Sequence, residues 1–342
     1  MKDCAICVRH MIDREKLVKK LQAWLLAIAI CIGCIVYAAF HYLSFLSPLK
    51  PYVNLGLEYV VPWLIFIMLF VSFCKVDVKE MRPRKWHAAL LVIQLVLSVV
   101  FILIIRTTSS EAVVYTLEGV LVCVIIPTAA AAAVITGKLG GNESSLTSYM
   151  IMSNMASAVL IPFLFPFITN NDAGFIEDFL QILPRVFPMI VMPFVTALAV
   201  KYYVPRFHHF IVTKCKNLAF YIWATTTITI TGEVLRSIVN SKEEGSFLLF
   251  LALVSLIVCL IQFCIGKFVG HIAGQRISAG QAFGQKNMVF GVWVALSYLA
   301  PTAAISPGCY VLWQNLVNSY QLWYRDKWND RLQKQGKSPY QE

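Results

Sequence analysis

Charged side chains are scarce in this sequence. Asp, Glu, Lys and Arg make up 14% of its 342 residues, whereas soluble domains contain about 25%. Polar segments long enough to fold into a soluble domain are missing as well, because only short stretches separate the apolar runs. These two shortages exclude a soluble globular protein, and any function must be performed by the membrane-embedded part of the chain.

Residue combinations typical of enzymes and metal sites are missing too. No His–Asp, Ser–His or metal-ligand cluster occurs at useful spacing in a polar stretch, and His208–His209 stands alone. Most of the ten cysteines lie singly in apolar runs, and Cys4 and Cys7 have metal-like spacing without a second pair. We interpret these two as free thiols in a reducing compartment. The sequence therefore predicts neither an enzyme nor a bound cofactor or metal.

Apolar residues, in contrast, make up 58% of the chain and fall into ten runs. Most runs are close to the ~20 residues that a helix needs to cross a bilayer. The first is too long for a signal-peptide core, so we expect it to be retained as a span. The runs cover residues 23–43, 55–74, 88–105, 112–136, 146–168, 179–200, 218–239, 247–266, 281–299 and 309–324.

The basic residues behind the net charge of +11 are unevenly distributed along the chain. With a cytoplasmic N-terminus, 23 of the 29 basic residues fall in predicted inner segments and four in outer segments. This asymmetry is the positive-inside pattern of a multi-pass protein, not a nucleic-acid-binding surface. We expect a protein of the plasma (inner) membrane, surrounded by membrane lipid, with both termini in the cytoplasm.

Ten spans divide into two sets of five, and an odd-numbered repeat enters the membrane from opposite sides. The sequence thus predicts an all-α membrane protein of two inverted five-helix repeats, at about 23–168 and 179–324, with spans four and nine interrupted. "PTAAAAAVITGKLGGN" marks the fourth span, and "FGQKN" followed by "PTAAISPG" marks the ninth. Residues 1–20 and 325–342 are the expected cytoplasmic ends of a transporter domain at 21–324.

At these two segments the sequence resembles the bile acid:sodium symporter family. The family's ninth-span motif and following Trp-His-Asn motif match "AFGQKN" and "WQN", which lie on either side of "APTAAISPG". The fourth and fifth spans match from "PTAAAAA" through "GN" to "SNMASAVLIP", and "RPRKWHAALLVIQ" is similar to the entry of the third. The resemblance implies a secondary transporter with a panel of helices and a core in which the fourth and ninth spans cross.

The resemblance also implies where two sodium ions bind in family members, between the fourth, fifth and ninth spans. The ligands are hydroxyl, amide and carboxylate oxygens, which suit a small hard cation. In this sequence the six corresponding positions are Ala132, Ala133, Leu146, Met150, Ala282 and Lys286. A one-residue shift would bring in Thr147 or Gln281, but would not restore six ligands. We therefore expect no sodium at this site.

Lys286 is interpreted as a substitute for the coupling ion. Its ammonium group would supply permanently the charge that sodium supplies in relatives, and would attract an organic anion. Because burial disfavours the charged form, the lysine can also release a proton, so transport would either be coupled to protons or simply run downhill. In the alternative, Lys286 only extends its charge towards the inner end of the ninth span. A charge near a helix centre costs roughly 2.5–3.5 kcal/mol, which favours a function.

Other polar residues of the apolar runs complete the predicted site. Amides and a hydroxyl with both donors and acceptors would line the substrate cavity, or else would join helices to each other. These candidates are Gln285, Asn287, Gln314, Asn315, Gln94 and Thr128. Glu118 and Glu233 are carboxylates within or near apolar runs, and each either pairs with Lys286, relays protons to it, or lies at an interface.

The sequence thus predicts a secondary transporter that moves a small organic anion, a carboxylate or a sulfonate, by alternating access without sodium. One alternative is a membrane sensor, or a homologue that binds a ligand without transporting it. Another is an ordinary sodium:organic anion symporter. The substrate, the direction of transport and the oligomeric state do not follow from the sequence.

Overall fold

A computed structural model describes residues 28–76, 81–169, 174–215, 218–241 and 243–335. The predicted N-terminal segment, with Cys4 and Cys7, lies outside these residues. Within them the chain is helical, and its one extended pairing is an isolated antiparallel bridge between Thr128 and Lys286. This agrees with the predicted all-α class.

Thirteen α-helices follow one another in the described part of the chain. They are α1 (Ile28–Tyr42), α2 (Lys50–Cys74), α3 (Lys85–Thr107), α4 (Glu111–Ile125), α5 (Ala131–Lys138), α6 (Glu143–Leu164), α7 (Phe175–Tyr203), α8 (Pro205–Lys214), α9 (Leu218–Asn240), α10 (Gly245–Ile272), α11 (Arg276–Gly284), α12 (Met288–Tyr298) and α13 (Ile305–Lys334). Short 3₁₀ turns lie at Ser44–Leu49, Phe165–Phe167 and Pro301–Ala304.

Five helical segments of the described chain are long and apolar enough to cross a membrane by themselves. They are α2, α3, α6 with its 3₁₀ extension, α7 and α10, and α1 and α12 are shorter apolar helices. Their exposed surfaces carry many large apolar side chains, which suits a lipid environment. The protein is thus a helical membrane protein. The arrangement as ten spans in two inverted repeats stays a prediction.

Both predicted interruptions separate one apolar run into two helices. α4 ends at Ile125, and Ile126 takes an extended conformation because the following Pro127 disfavours the helical one. The second interruption covers residues 285–287, between α11 and α12. The predicted ninth run was placed too late, since α11 begins at Arg276 and not at residue 281.

Two further boundaries differ from the sequence interpretation. α8 was not predicted, although Pro205 occupies the first turn, where its missing N–H is harmless. α13 continues through Lys334, so the segment predicted as a cytoplasmic tail from residue 325 begins as helix. Charged residues end the apolar run before residue 325, but they do not end the helical hydrogen-bond ladder.

The interrupted helices lie at the centre of the structure. Glu118–Ile125 of α4, Ser278–Gly284 of α11 and Met288–Val292 of α12 are all buried. Their surroundings are the longer helices α3, α6, α10 and α13, with which they share contacts. The break points are therefore shielded from lipid on all described sides, as backbone that leaves the helical ladder must be.

Two glycines one turn apart hold α11 against α10. A Cβ atom at Gly266 would lie 2.4 Å from the Ala279 carbonyl oxygen, and one at Gly270 would lie 2.4 Å from that of Gln275. Small residues at this spacing let two helix backbones approach closely. The position of α11, and hence of the break that follows it, depends on these two glycines.

We predict that Gly266→Ala destabilises the protein by about 1–3 kcal/mol, because the added methyl group meets backbone that has no room to move. Thermal unfolding of the purified protein in detergent measures the effect. Gly232→Ala in α9 is the control, since a Cβ there meets nothing within 4 Å. A loss at Gly232 equal to that at Gly266 would contradict the close-packing interpretation.

Candidate functional site

The two helix breaks meet and pair with each other. The Ala129 N–H donates to the Gln285 carbonyl at 3.0 Å, and the Asn287 N–H donates to the Pro127 carbonyl at 2.9 Å. These bonds form the bridge between Thr128 and Lys286. The backbone N–H and carbonyl groups of the two breaks thereby become hydrogen-bond partners, in a region where no water is expected to supply such partners.

A side chain reinforces this pairing. The Thr128 hydroxyl is buried and donates to the carbonyl of Ala282, in the last turn of α11, at 2.6 Å. The Thr128 N–H in turn donates to the Ser153 hydroxyl of α6 at 3.3 Å. Thr128, predicted as a substrate-binding residue, therefore ties the first break to α11 and to α6 in this conformation.

Lys286 lies in the middle of this crossing. Its side chain is 0% exposed, and its Nζ donates to the Val124 carbonyl oxygen at 2.9 Å. Nζ also lies 4.8 Å from the centre of the Phe283 ring, within cation–π distance. The alternative in which Lys286 extends to the membrane surface is wrong for this structure, because the ammonium group points into the protein and contacts backbone.

Val124 belongs to the carbonyl end of α4, which we define as residues Val122–Ile125. The last four carbonyls of a helix have no partner within it. Here the first three carbonyls have these partners: the Ile126 N–H at 3.2 Å for Val122, Gln262 at 3.1 Å for Cys123, and Lys286 for Val124.

Ile125, the last residue of this carbonyl end, accepts two hydrogen bonds. Gln94 and Ser157 each donate to its carbonyl oxygen at 2.7 Å. Gln94, predicted as a cavity residue, thus contacts the same helix end as Lys286. Among the described partners of this carbonyl end Lys286 is the cation, and a helix C-terminus carries a partial negative charge that favours one.

The C-terminal turn of α11 is tied to the carbonyl end of α4 by a second route. The Tyr310 hydroxyl accepts from Gln262 at 3.1 Å and donates to the Gly284 carbonyl at 2.9 Å. Both side chains are buried. Neither was singled out in the sequence, although Gln262 is a solitary amide within the apolar run of α10, which is the available signal.

A row of amide side chains runs from Lys286 along the contact between α11 and α13. Gln314 accepts from the Lys286 backbone N–H at 2.9 Å. Gln285 donates to Asn318 at 3.1 Å and also to Gln281, which donates to Gln321 at 3.0 Å. Gln285 and Gln314 are predicted cavity residues, whereas Asn318 and Gln321 were not singled out in the sequence. The spacing of positions 314, 318 and 321 on one helical face would have indicated the rest.

Three predicted residues have partners other than the Lys286 ammonium group. Asn315 donates to the Val311 carbonyl of its own helix at 2.6 Å. Glu118 is buried and accepts from the Ala300 N–H at 3.4 Å. Glu233 lies 3.8 Å from Arg236. Asn287 stays next to the break, where its side chain accepts from the Phe290 N–H at 3.4 Å and caps α12.

These contacts leave Lys286 without a carboxylate partner among the described side chains. Neither Glu118 nor Glu233, the two predicted partners, contacts it. A buried charge without a counter-charge is strongly unfavourable. The carbonyl end of α4 and the Phe283 ring offset part of this cost with partial charges, but no full negative charge faces the ammonium within the described chain.

The positions that correspond to sodium ligands in the resemblance form an apolar environment. Ala132, Leu146 and Ala282 are buried in one cluster with Trp86 and Tyr149. Met150 is buried in the larger core. These aliphatic and thioether side chains offer no oxygen to a hard cation. Lys286 is the exception among the six positions, since its side chain carries an ammonium group.

We predict that Tyr310→Phe lowers stability by about 1–3 kcal/mol, because the carbonyl of Gly284 and an amide hydrogen of Gln262 lose their buried partner. Thermal unfolding measures this loss. Tyr203→Phe is the matched control, since the Tyr203 side chain is 86% exposed. Equal effects of the two substitutions would show that the Tyr310 hydroxyl does not hold the two helix ends together.

Comparison with known proteins gives the family. The model of the Sodium Bile acid symporter family matches residues 62–241, which is more than half of the chain. The match includes the break after α4 and Gln94, while α11–α13 and Lys286 lie beyond it. No curated protein matches the sequence. The chain belongs to the sodium bile acid symporter family.

Proposed function

We propose that the protein moves a small organic anion across the membrane by alternating access, without sodium, with Lys286 in place of a coupling ion. Membership of a symporter family supports a transporter rather than an enzyme. The observation that carries the finer proposal is the bond from the Lys286 ammonium to the carbonyl end of α4, where two broken helices meet.

The role of the lysine follows from the chemistry of broken helices. In transporters with such helices, unwound carbonyls and helix C-termini coordinate the coupling cation. An ammonium group at the C-terminus of α4 makes the same kind of contact while remaining covalently attached. The apolar side chains at the other five of the six positions named above support this substitution, because they leave a second, exchangeable cation without oxygen ligands.

The charge balance indicates an anionic substrate. Lys286 has no carboxylate partner among the described side chains, so an anion that reaches it gains a strong, desolvated attraction. The neighbouring amides of Gln285, Asn287 and Gln314 offer additional polar groups, which suit a carboxylate or sulfonate with a hydroxyl or amide substituent. These amides now bond to protein partners and would have to exchange them on binding.

Access to Lys286 requires movement. Its side chain has no exposed surface, so an anion reaches the ammonium only after helices around the break separate. Alternating access supplies such a movement, with one group of helices rocking against another around the site. The described conformation is then one in which the site is closed.

The direct test is uptake into proteoliposomes of purified protein, with a panel of radiolabelled carboxylates and sulfonates. We expect uptake that is unchanged when choline replaces sodium. Empty liposomes and the Lys214→Gln variant, which alters an exposed lysine at the end of α8, are the controls. Uptake that requires sodium would identify an ordinary symporter. Thermal stabilisation by an acid without uptake would identify a binding protein or sensor.

We predict that Lys286→Gln weakens anion binding at least tenfold, about 1.4 kcal/mol, because the attracting charge is lost. Lys286→Arg keeps the charge and should retain most of the binding. Titration with the transported anion, followed by thermal shift, gives both values. A merely structural lysine would change the melting temperature of the free protein and leave the affinity unaltered.

The wild-type protein and Lys286→Arg together test for proton release. If the wild-type lysine releases its proton, anion binding should weaken as the pH is raised. Binding to Lys286→Arg should not change over the same pH range, since Arg stays charged. Uptake driven by an imposed pH gradient would then show proton coupling. Parallel pH dependences in both proteins would place the titrating group elsewhere.

A further inference from the structure

A second polar site lies at one end of the bundle, away from the ammonium of Lys286. It is a cleft of about 650 Å³ between the end of α10, the beginning of α11 and the last turns of α13. Basic and aromatic side chains dominate its walls, namely Lys267, His271, Arg276, Arg325, Tyr324 and Trp328. No carboxylate belongs to the described lining, so the cleft is electropositive.

The cleft is built into the helix packing. Gly280 of α11 makes room for the Lys267 side chain, since a Cβ atom there would lie 2.6 Å from the lysine Cγ. Gln321, which also lines the cleft, is held by the hydrogen bond from Gln281. Its buried Nε2 atom has no hydrogen-bond partner among the described residues. An amide donor without a partner beside several cations fits an anionic ligand.

The cleft lies where the apolar part of the bundle ends. The apolar helix α10 ends at Ile272, beside the cleft, and α13 becomes rich in charged residues from Arg325 onward. Just before these charged residues, α13 carries exposed aromatic side chains, including Tyr320, Trp323 and Tyr324. Aromatic residues of this kind mark a membrane–water interface. The sequence orientation puts this interface on the cytoplasmic side.

We propose that this cleft binds the phosphate of an acidic phospholipid headgroup from the cytoplasmic leaflet. Basic pockets between membrane helices on this side suit such headgroups, and Arg side chains bind phosphate through two parallel hydrogen bonds. A lipid fits better than a free phosphate because Phe268 and Ile272, on the same turns of α10, are exposed apolar side chains available to acyl chains. The site does not depend on the transport proposal.

Thermal unfolding in mixed micelles tests the proposal. Phosphatidylglycerol should raise the melting temperature of the wild-type protein by about 3 °C or more over phosphatidylcholine, since a ligand of the folded state stabilises it. Arg276→Gln, an exposed position that should not disturb folding, and Lys267→Gln should each lose at least half of this rise. Lys214→Gln removes a charge from α8, which packs on α2 and α7, and should keep all of it.

Native mass spectrometry provides the second measurement. Phosphatidylglycerol adducts should survive on the wild-type protein and on Lys214→Gln, and should be reduced at least threefold on Arg276→Gln. Equal retention by all three proteins would overturn the site. Equal stabilisation by glycerol 3-phosphate at the same concentration would also overturn it, because the ligand would then be a soluble phosphate. None of these outcomes depends on uptake, so this proposal and the transport proposal fail separately.

Discussion

The constraint on which the rest of this structure depends is the need to satisfy backbone groups where two helices break inside a membrane protein. A helix that stops there leaves four carbonyls without partners, and lipid supplies none. The carbonyl end of α4 shows the solution, with a partner for every carbonyl from Val122 to Ile125. The Val122 carbonyl is satisfied by Ile126 at the first break itself, and the other partners come from α3, α6, α10 and the second break. The packing of these helices is thus a consequence of the break they enclose.

The close contact of α10 and α11 belongs to the same solution. Gly266 and Gly270 bring the backbone of α11 against α10, and Gln262 of α10 then reaches both the Cys123 carbonyl and the Tyr310 hydroxyl. A larger residue at either glycine would move α11 together with its terminal carbonyls. Lys286 follows two residues after α11, so the position of its ammonium group depends indirectly on two residues that lack side chains.

Sequence patterns predicted the helical membrane class, the family and the two segments that break, and they identified Lys286 as unusual. They did not indicate the hydrogen-bond partners of the buried polar side chains. Gln94 and Thr128 were assigned to substrate, but in this conformation they bond to backbone carbonyls. An amide in an apolar run indicates that a hydrogen-bond partner is needed. It does not indicate which group is the partner, because that depends on helices distant in the chain. The two glutamates show the same limit, since the placement of a carboxylate and a lysine in separate apolar runs does not bring them together.

A covalently attached cation changes what the site can do as well as what it contacts. An exchangeable sodium ion enters from one side and leaves on the other, and its gradient then drives the substrate. Lys286 stays with the protein, so in the proposed mechanism it organises the broken helices and attracts an anion without contributing the energy of an ion gradient. The proton is the part of the ammonium group that can leave. In the proposed mechanism an ion gradient drives the substrate through Lys286 only if this residue is protonated on one side of the membrane and deprotonated on the other.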